Sequence, residues 1–103
     1  MDEKTILSEI ARIRELLQKS GRTFPDALLK TEEELGELIS AHFGLQSYKK
    51  NTPEDLQEEV VDVLQCAISL YLLVNEKYPF DLFAVLKVKN DKWEAKYSKE
   101  GKK

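Results

Sequence analysis

Two acidic pairs, Glu34 with Glu37 and Glu59 with Asp62, constrain the fold of this chain more than any other feature of its sequence. The members of each pair are three residues apart in a helix-patterned segment, and residues at that spacing are neighbours on a helix surface. At about 100° per residue, both pairs share their helix side with apolar residues. These are Ala27, Leu38, Ala41 and Leu45 on one helix and Leu56, Val63, Cys66, Leu70 and Leu73 on the other. Carboxylates on inward stripes repel and desolvate one another, so the pattern predicts a divalent cation among them.

The composition limits the classes of protein to which the chain can belong. Its 103 residues correspond to one domain, and its formal net charge of −3 argues against a nucleic-acid binder that works by phosphate neutralisation. The single cysteine, Cys66, excludes an intramolecular disulfide and a Cys-rich zinc site, and its apolar neighbours predict a buried thiol. The N-terminus lacks a signal-peptide layout, and no apolar stretch is long enough to span a bilayer. We therefore expect a soluble, cytoplasmic protein that does not contact membranes.

Helical periodicity runs through most of the chain and is interrupted at a few positions. The first helix is predicted to end at Gly21, and the second to run from Pro25 to about Phe43 with Gly44 as its C-terminal cap. The third has a strong start signal, with a threonine N-cap followed by proline, and is predicted over Thr52–Lys77. It ends before Pro79, which disfavours helix in the preceding residue.

A fourth helix is predicted from Phe80 or Asp81 to about Tyr97. Residues 1–97 then form a single domain, and residues 98–103 form a polar C-terminal tail. Because short connections favour antiparallel neighbours, the predicted fold class is all-α, with a four-helix bundle-like unit. The first and fourth helices carry apolar stripes that a lone small bundle would leave partly exposed, so we expect an oligomer.

The acids are hard oxygen ligands, which suit magnesium or manganese better than zinc or copper. A di-iron centre in a helical bundle would need a Glu-x-x-His pattern on each of two helices. The only histidine, His42, does not lie three residues after a glutamate, which excludes that alternative.

The arrangement Glu-Glu-x-x-Glu at 33–37, followed after the spacer 38–57 by Glu-Glu-x-x-Asp at 58–62, resembles the signature of the MazG-like all-α nucleoside triphosphate pyrophosphohydrolases. This superfamily includes dimeric dUTPases, dCTPases and phosphoribosyl-ATP pyrophosphatases. The similarity extends from about residue 20 to Tyr97. The stretch 87–93 is also similar to the family's terminal region, where a lysine and an asparagine precede basic or aromatic residues.

The resemblance implies that Glu34, Glu37, Glu59 and Asp62 hold Mg²⁺, with Mn²⁺ as the alternative. These are the same four residues that the helical periodicity singles out. It also implies hydrolysis of a nucleoside triphosphate to the monophosphate and pyrophosphate, as in nucleotide-pool housecleaning. Members of the family are typically dimers or tetramers, so a homodimer or a homotetramer is expected, with no nucleic-acid partner.

Further roles are assigned with alternatives left open. Glu33 and Glu58 lie at the edges of the two stripes, and as catalytic candidates they would position water or hold a second metal; the alternative is that they are solvated. The pair-forming residues Glu37 and Glu59 are alternatives as the general base. The candidates for substrate binding are Lys30, Lys89, Asn90 and Trp93.

Each of these binding candidates has a structural alternative. Lys30 can pair with a neighbouring glutamate, Asn90 can bond at a helix end or between subunits, and Trp93 can anchor the core or an oligomer interface.

Two other functions also fit the chain. One is a non-catalytic helical interaction or regulatory module that binds no metal. The other is a phosphoribosyl-ATP pyrophosphatase, which would use the same acidic signature.

Overall fold

The computed structural model describes residues 2–46 and 52–101, and these form four α-helices and no β-strand. The helices are α1 (Glu3–Ser20), α2 (Phe24–Gln46), α3 (Pro53–Lys77) and α4 (Leu82–Gly101). The prediction of an all-helical chain with four helices is thus confirmed. Within the described ranges, no helix is both long enough and apolar enough to cross a membrane.

The predicted punctuation fixes three helix ends. Gly21 ends α1 in the left-handed conformation, with φ of 65°, and its N–H donates to the carbonyl of Leu17 at 3.0 Å. Thr52 caps α3, Pro53 stands in its first turn, and the helix ends at Lys77 as predicted. These ends are set by local hydrogen bonds, which is why the sequence alone predicts them.

Two predicted helix ends were wrong. α2 continues through Gly44 to Gln46, and among the described glycines only Gly21 has a positive φ. A glycine inside a helix costs only about 1 kcal/mol relative to alanine, which packing of the buried Gly44 can offset. α4 continues past Tyr97 to Gly101 because no helix-breaking residue precedes that glycine. The polar composition of residues 46–51 predicts a loop, but Gln46 belongs to α2 and residues 47–51 lie outside the described residues.

The packing is centred on α2 and α3, with α1 lying against α3. α2 and α3 are antiparallel, since Lys30 and Ser69 line the same cavity while Glu34 lies close to Asp62 farther along. The buried apolar residues are Ala27, Ala41, Cys66 and Leu72, so the predicted burial of the Cys66 thiol is confirmed.

In contrast, α4 does not pack extensively on any other helix of the described chain. Phe80, just before α4, contacts Tyr71 of α3 edge to face, with ring centroids 5.4 Å apart. Beyond that junction, α4 exposes large apolar side chains. These are Phe83, Val85, Leu86, Val88, Trp93 and Tyr97.

Candidate metal centre

Reciprocal hydrogen bonds fix the starts of α2 and α3. In α3 the Thr52 hydroxyl accepts from the N–H of Asp55 at 3.2 Å, and the Asp55 carboxylate accepts from the N–H of Thr52 at 2.9 Å. Thr23 and Asp26 make the same pair of bonds at the start of α2, at 3.3 and 3.0 Å. These capping arrangements set where each helix begins, and therefore which later residues face the neighbouring helix.

Three carboxylates from the two helices converge at their interface. Glu34 on α2 and Glu59 and Asp62 on α3 each place one oxygen so that all three lie within 4.8 Å of one another. Glu34 is buried, with 7% of its surface exposed, whereas Glu59 and Asp62 are half-buried. The acidic pairs that the sequence places on separate helices are thus brought together in space.

Two carboxylate oxygens in this group lack the partners that buried polar atoms normally have. The Oε2 atoms of Glu34 and Glu59 are buried and have no hydrogen-bond partner among the described residues. Unpaired buried polar atoms are uncommon in folded proteins and require an explanation such as a bound ion. The group therefore has both the geometry and the unsatisfied oxygens of a cation site.

Glu37, the remaining residue of the four, is more exposed than the helical pattern predicts. One of its oxygens still lies within 4.8 Å of oxygens of Glu33 and Glu34, so these acids form a second group along α2 that shares Glu34 with the first. The negative charge of Glu34, followed by burial, raises the pKa of Glu37 above its ordinary value of 4.5.

The pKa of Glu59 is also raised above 4.5. Burial is the main cause, and the negative charges of Glu37, Asp62 and Glu34 add to it in that order. Residues on both helices therefore disfavour the ionised form of this carboxyl group. A divalent cation at the interface would reverse the effect, because an adjacent positive charge favours ionisation.

Lys30 lies one turn before Glu34 and pairs with the cluster. Its Nζ is 3.0 Å from Oε1 of Glu34 and 3.6 Å from Oε1 of Glu33. The hydrogen bond to Glu34 is the largest of the causes that raise the pKa of the lysine. This ion pair with Oε1 is the structural alternative proposed for Lys30. It leaves Oε2, the other carboxylate oxygen of Glu34, without a hydrogen-bond partner among the described residues.

The two edge candidates occupy different positions. Glu33 is exposed beside Lys30 and belongs to the acidic group along α2. Glu58 is exposed on α3 and lines a shallow depression with Asp62. Both therefore flank the cluster, and neither is buried within it.

The α4 candidates are not brought to the carboxylates of the same chain. Lys89, Asn90 and Trp93 are exposed on a helix that does not pack extensively on α2 or α3. Trp93 lies beside Tyr97 of its own helix, with ring centroids 6.4 Å apart.

Other residues that the sequence reading did not select lie closer to the cluster. Arg22, Gln65 and the α1 residues Leu16 and Leu17 line a cavity together with Glu34 and Asp62. The three-residue helical spacing that identified the acidic pairs could also have identified Gln65, because it lies three residues after Asp62. The α1 residues carry no such signal, since only the packing of α1 on α3 brings them there.

Comparison of the chain with protein-family models, with curated proteins and with solved structures gave no match.

Proposed function

We propose that this protein is a magnesium-dependent nucleoside triphosphate pyrophosphohydrolase of the MazG-like type. The observation that carries the proposal is the convergence of Glu34, Glu59 and Asp62 with two unpartnered carboxylate oxygens. Like charges buried together at a helix interface are costly unless a cation is present. The motif spacing supports the same function independently of the geometry.

The donor set fits a hard divalent cation. Glu34, Glu59 and Asp62 would hold Mg²⁺ or Mn²⁺, because these ions prefer carboxylate oxygens. Glu37 would add a further carboxylate from the second acidic group, which shares Glu34 with the first. Bound there, the ion would neutralise phosphate charge and make an attacking water more acidic. Zinc is disfavoured because the cluster offers neither a thiolate nor an imidazole.

The remaining chemistry falls to residues around the cluster. Water attacks the α-phosphorus, the bond from that phosphorus to the bridging oxygen breaks, and pyrophosphate leaves. Glu33 and Glu58 flank the cluster on opposite helices and are exposed, so either can take the proton from the attacking water. Lys30 holds Glu34 in place and supplies positive charge at the edge where the phosphates would enter.

The surface of the chain supports self-association as part of this proposal. A compact monomer of 11.9 kDa exposes about 6,000 Å², whereas this chain exposes 8633 Å². Two chains together would carry an excess of about 5,000 Å², at the upper end of the total of roughly 2,000–5,000 Å² that obligate homodimer interfaces bury on both partners. A homodimer or homotetramer would cover part of the exposed apolar surface. The enzyme would act in the cytoplasm on the nucleotide pool.

The test is product analysis with ribo- and deoxynucleoside triphosphates, in Mg²⁺ and in excess chelator. Monophosphate and pyrophosphate should form only with the metal, and Glu59→Gln should abolish them. Glu32→Gln is the matched control, because it makes the same change at an exposed acid of α2 that belongs to neither acidic group. Turnover in chelator, or full activity of Glu59→Gln, would contradict the proposal. Phosphoribosyl-ATP belongs in the panel, since turnover of that substrate alone would identify the related pyrophosphatase.

A further inference from the structure

A cavity of about 460 Å³ opens beside the carboxylate cluster, between α1 and the paired helices α2 and α3. Glu34 and Asp62 form part of its wall, so the cavity and the cluster are continuous. Its volume is within the range of about 300–1,000 Å³ typical of small-molecule sites. Glu34 is more than nine-tenths buried and carries one of the unpartnered oxygens, which gives this wall an unsatisfied polar group.

The wall opposite the acids is apolar and comes from α1. Ile13, Leu16 and Leu17 line the cavity, although α1 contributes no fully buried residue to the fold. Leu16 is 57% exposed and therefore presents apolar surface that the packing of the chain does not cover. Such a surface suits a flat apolar group of a ligand better than it suits phosphate.

Two cationic residues, Arg22 and Lys30, also line the cavity. Arg22 stands between the left-handed Gly21 that ends α1 and the Thr23 cap that begins α2, so two helix ends fix its backbone. Its own N–H donates to the Ser20 hydroxyl at 3.4 Å. These contacts fix the backbone of Arg22, and its exposed guanidinium can pair with phosphate through two hydrogen bonds.

A polar strip on α3 completes the lining. The buried Ser69 donates its hydroxyl to the carbonyl of Gln65 at 2.9 Å, which occupies the hydroxyl proton. The side-chain amide of Gln65 offers both a donor and an acceptor, the combination that reads the edge of a nucleobase. Asp62 lies one turn earlier on the same strip, which connects the amide to the acidic end of the cavity.

We propose that this cavity is the nucleoside pocket of the enzyme, in which Leu16 and its α1 neighbours contact the base, Gln65 reads its edge, and Arg22 contacts the phosphates. The inference rests on the proposed function, because it requires a nucleotide as substrate. A nucleotide matches all parts of the lining: an apolar ring for α1, hydrogen-bonding atoms for the amide, and phosphates between the cations and the acids. Specificity then resides on α1 and α3, and α4 does not supply it within the same chain.

Binding can be measured without turnover. Nucleoside monophosphates of the four common bases, in ribo and deoxy forms, would be titrated at millimolar concentrations into the isotope-labelled full chain while backbone and methyl NMR signals are followed. The expected result is a set of saturable shifts at Leu16, Leu17, Arg22 and Gln65. Shifts confined to Lys89, Asn90 and Trp93, or no saturable shift with any monophosphate, would overturn the pocket. So would equal shifts at Leu16 with inorganic pyrophosphate alone, which has no apolar part.

Matched variants test the individual contacts. Leu16→Ala should raise KM, or the Kd for the monophosphate, by about 10-fold. The control Leu7→Ala should have no effect, because Leu7 lies on the same helix at 56% exposure but outside the cavity. Arg22→Ala should raise KM about 10- to 100-fold while kcat stays nearly constant. Its control is Arg14→Ala, because Arg14 borders only the neighbouring cavity, which Arg22 also lines, and so reports binding in that cavity instead. Equal effects of a variant and its control would contradict the assignment.

Gln65→Leu should change the ratio of kcat/KM between the best and second-best bases by about 10-fold or more. An unchanged ranking of bases would remove Gln65 from the assignment.

These readouts separate the proposed hydrolysis from the proposed nucleoside pocket. Metal-dependent hydrolysis with no response at Leu16 or Arg22 overturns the pocket alone. Absence of hydrolysis overturns the proposed function, and the titration of monophosphates then still decides whether the cavity binds nucleotides.

Discussion

Asp26 and Asp55 stand at the beginnings of α2 and α3, whereas Glu34 and Glu59 stand where the same two helices face each other. Each aspartate accepts a hydrogen bond from a threonine N–H and helps to cap its helix. Each glutamate leaves one buried oxygen without a hydrogen-bond partner among the described residues. Both helices therefore carry carboxylates in two opposite environments.

The pKa values differ in the same sense. The backbone hydrogen bond from Thr23 is the main cause that lowers the pKa of Asp26 below 3.8, while burial and neighbouring acids raise that of Glu59 above 4.5. The fold therefore stabilises the ionised form of the first carboxyl group and destabilises that of the second. Acids at the helix starts stabilise the folded chain by capping its helices. Acids at the interface are destabilised by burial and by one another, and a bound cation would stabilise them.

The largest expected effect follows from removing an interface charge. Glu34→Gln should lower kcat/KM for the best nucleoside triphosphate by about 100-fold or more, on the scale of losing one electrostatic contact to a transition state. Steady-state kinetics at saturating Mg²⁺ would measure it. Glu32→Gln should remain within about twofold of wild type. A fall of similar size in both variants would mean that the loss comes from overall charge and not from the cluster.

The second effect is stabilisation by metal. Mg²⁺ at 100 times its dissociation constant should raise the free energy of unfolding by about 2.7 kcal/mol in the wild type. In Glu59→Gln this increase should be largely lost, because a cluster oxygen has been replaced by an amide. Chemical denaturation with and without Mg²⁺ would measure both values. An equal increase in the two proteins would place the bound metal elsewhere.

Changes at the helix caps, in contrast, should lower stability without affecting the response to Mg²⁺. Thr52→Ala removes a cap from α3 and should lower the free energy of unfolding by about 1 kcal/mol, with or without Mg²⁺. Turnover per folded molecule should stay near that of wild type, because the cap is outside the cluster. Urea denaturation and active-site titration would test this. If the loss depended on Mg²⁺, the helix start and the cluster would not be independent.

The smallest effect is the pH dependence of the metal-free protein. Glu37 and Glu59 have raised folded pKa values, so their contribution to stability is complete below 4.5 and is lost as pH rises through those folded values. Asp2 and Asp26 have lowered values, so their contribution is present above 3.8 and is lost as pH falls through their folded values.

In chelator, the free energy of unfolding should therefore fall as pH rises above 4.5 through the folded pKa values of Glu37 and Glu59. It should also fall as pH drops below 3.8 through the folded pKa values of Asp2 and Asp26. Glu59→Gln should flatten the first decline and leave the second unchanged. Urea titrations across this pH range would show both. A wild-type curve that rises steadily to neutral pH would mean that the interface acids do not destabilise the metal-free fold.

Local rules made much of this structure predictable. Gly21, Thr52 and Pro79 marked helix ends because capping and proline effects depend on a few neighbouring residues. The rule failed at Gly44, where α2 continues for two more residues, since glycine signals a stop only where the chain adopts a left-handed conformation.

The acidic cluster was partly predictable for a related reason. Spacing of three residues placed Glu34 beside Glu37 and Glu59 beside Asp62, and the apolar neighbours indicated the inward side. It did not separate the buried Glu34 from the exposed Glu37, because a helical wheel gives an angle and not the line of contact. The cavity beside the cluster was missed because it forms where three helices pack together, and residue spacing within one helix does not show that packing.

The sequence by itself thus determined the four helices, three of their ends and the acids that lie next to each other on each helix, since these depend on hydrogen bonds and side-chain spacing within one helix. Only the tertiary structure decided which oxygens meet, which of them are left without partners, and that α1 and Arg22, not α4, lie beside them in the same chain. The physical reason is that burial and desolvation arise from the packing of one helix on another, and no residue's immediate neighbours in the sequence specify that packing.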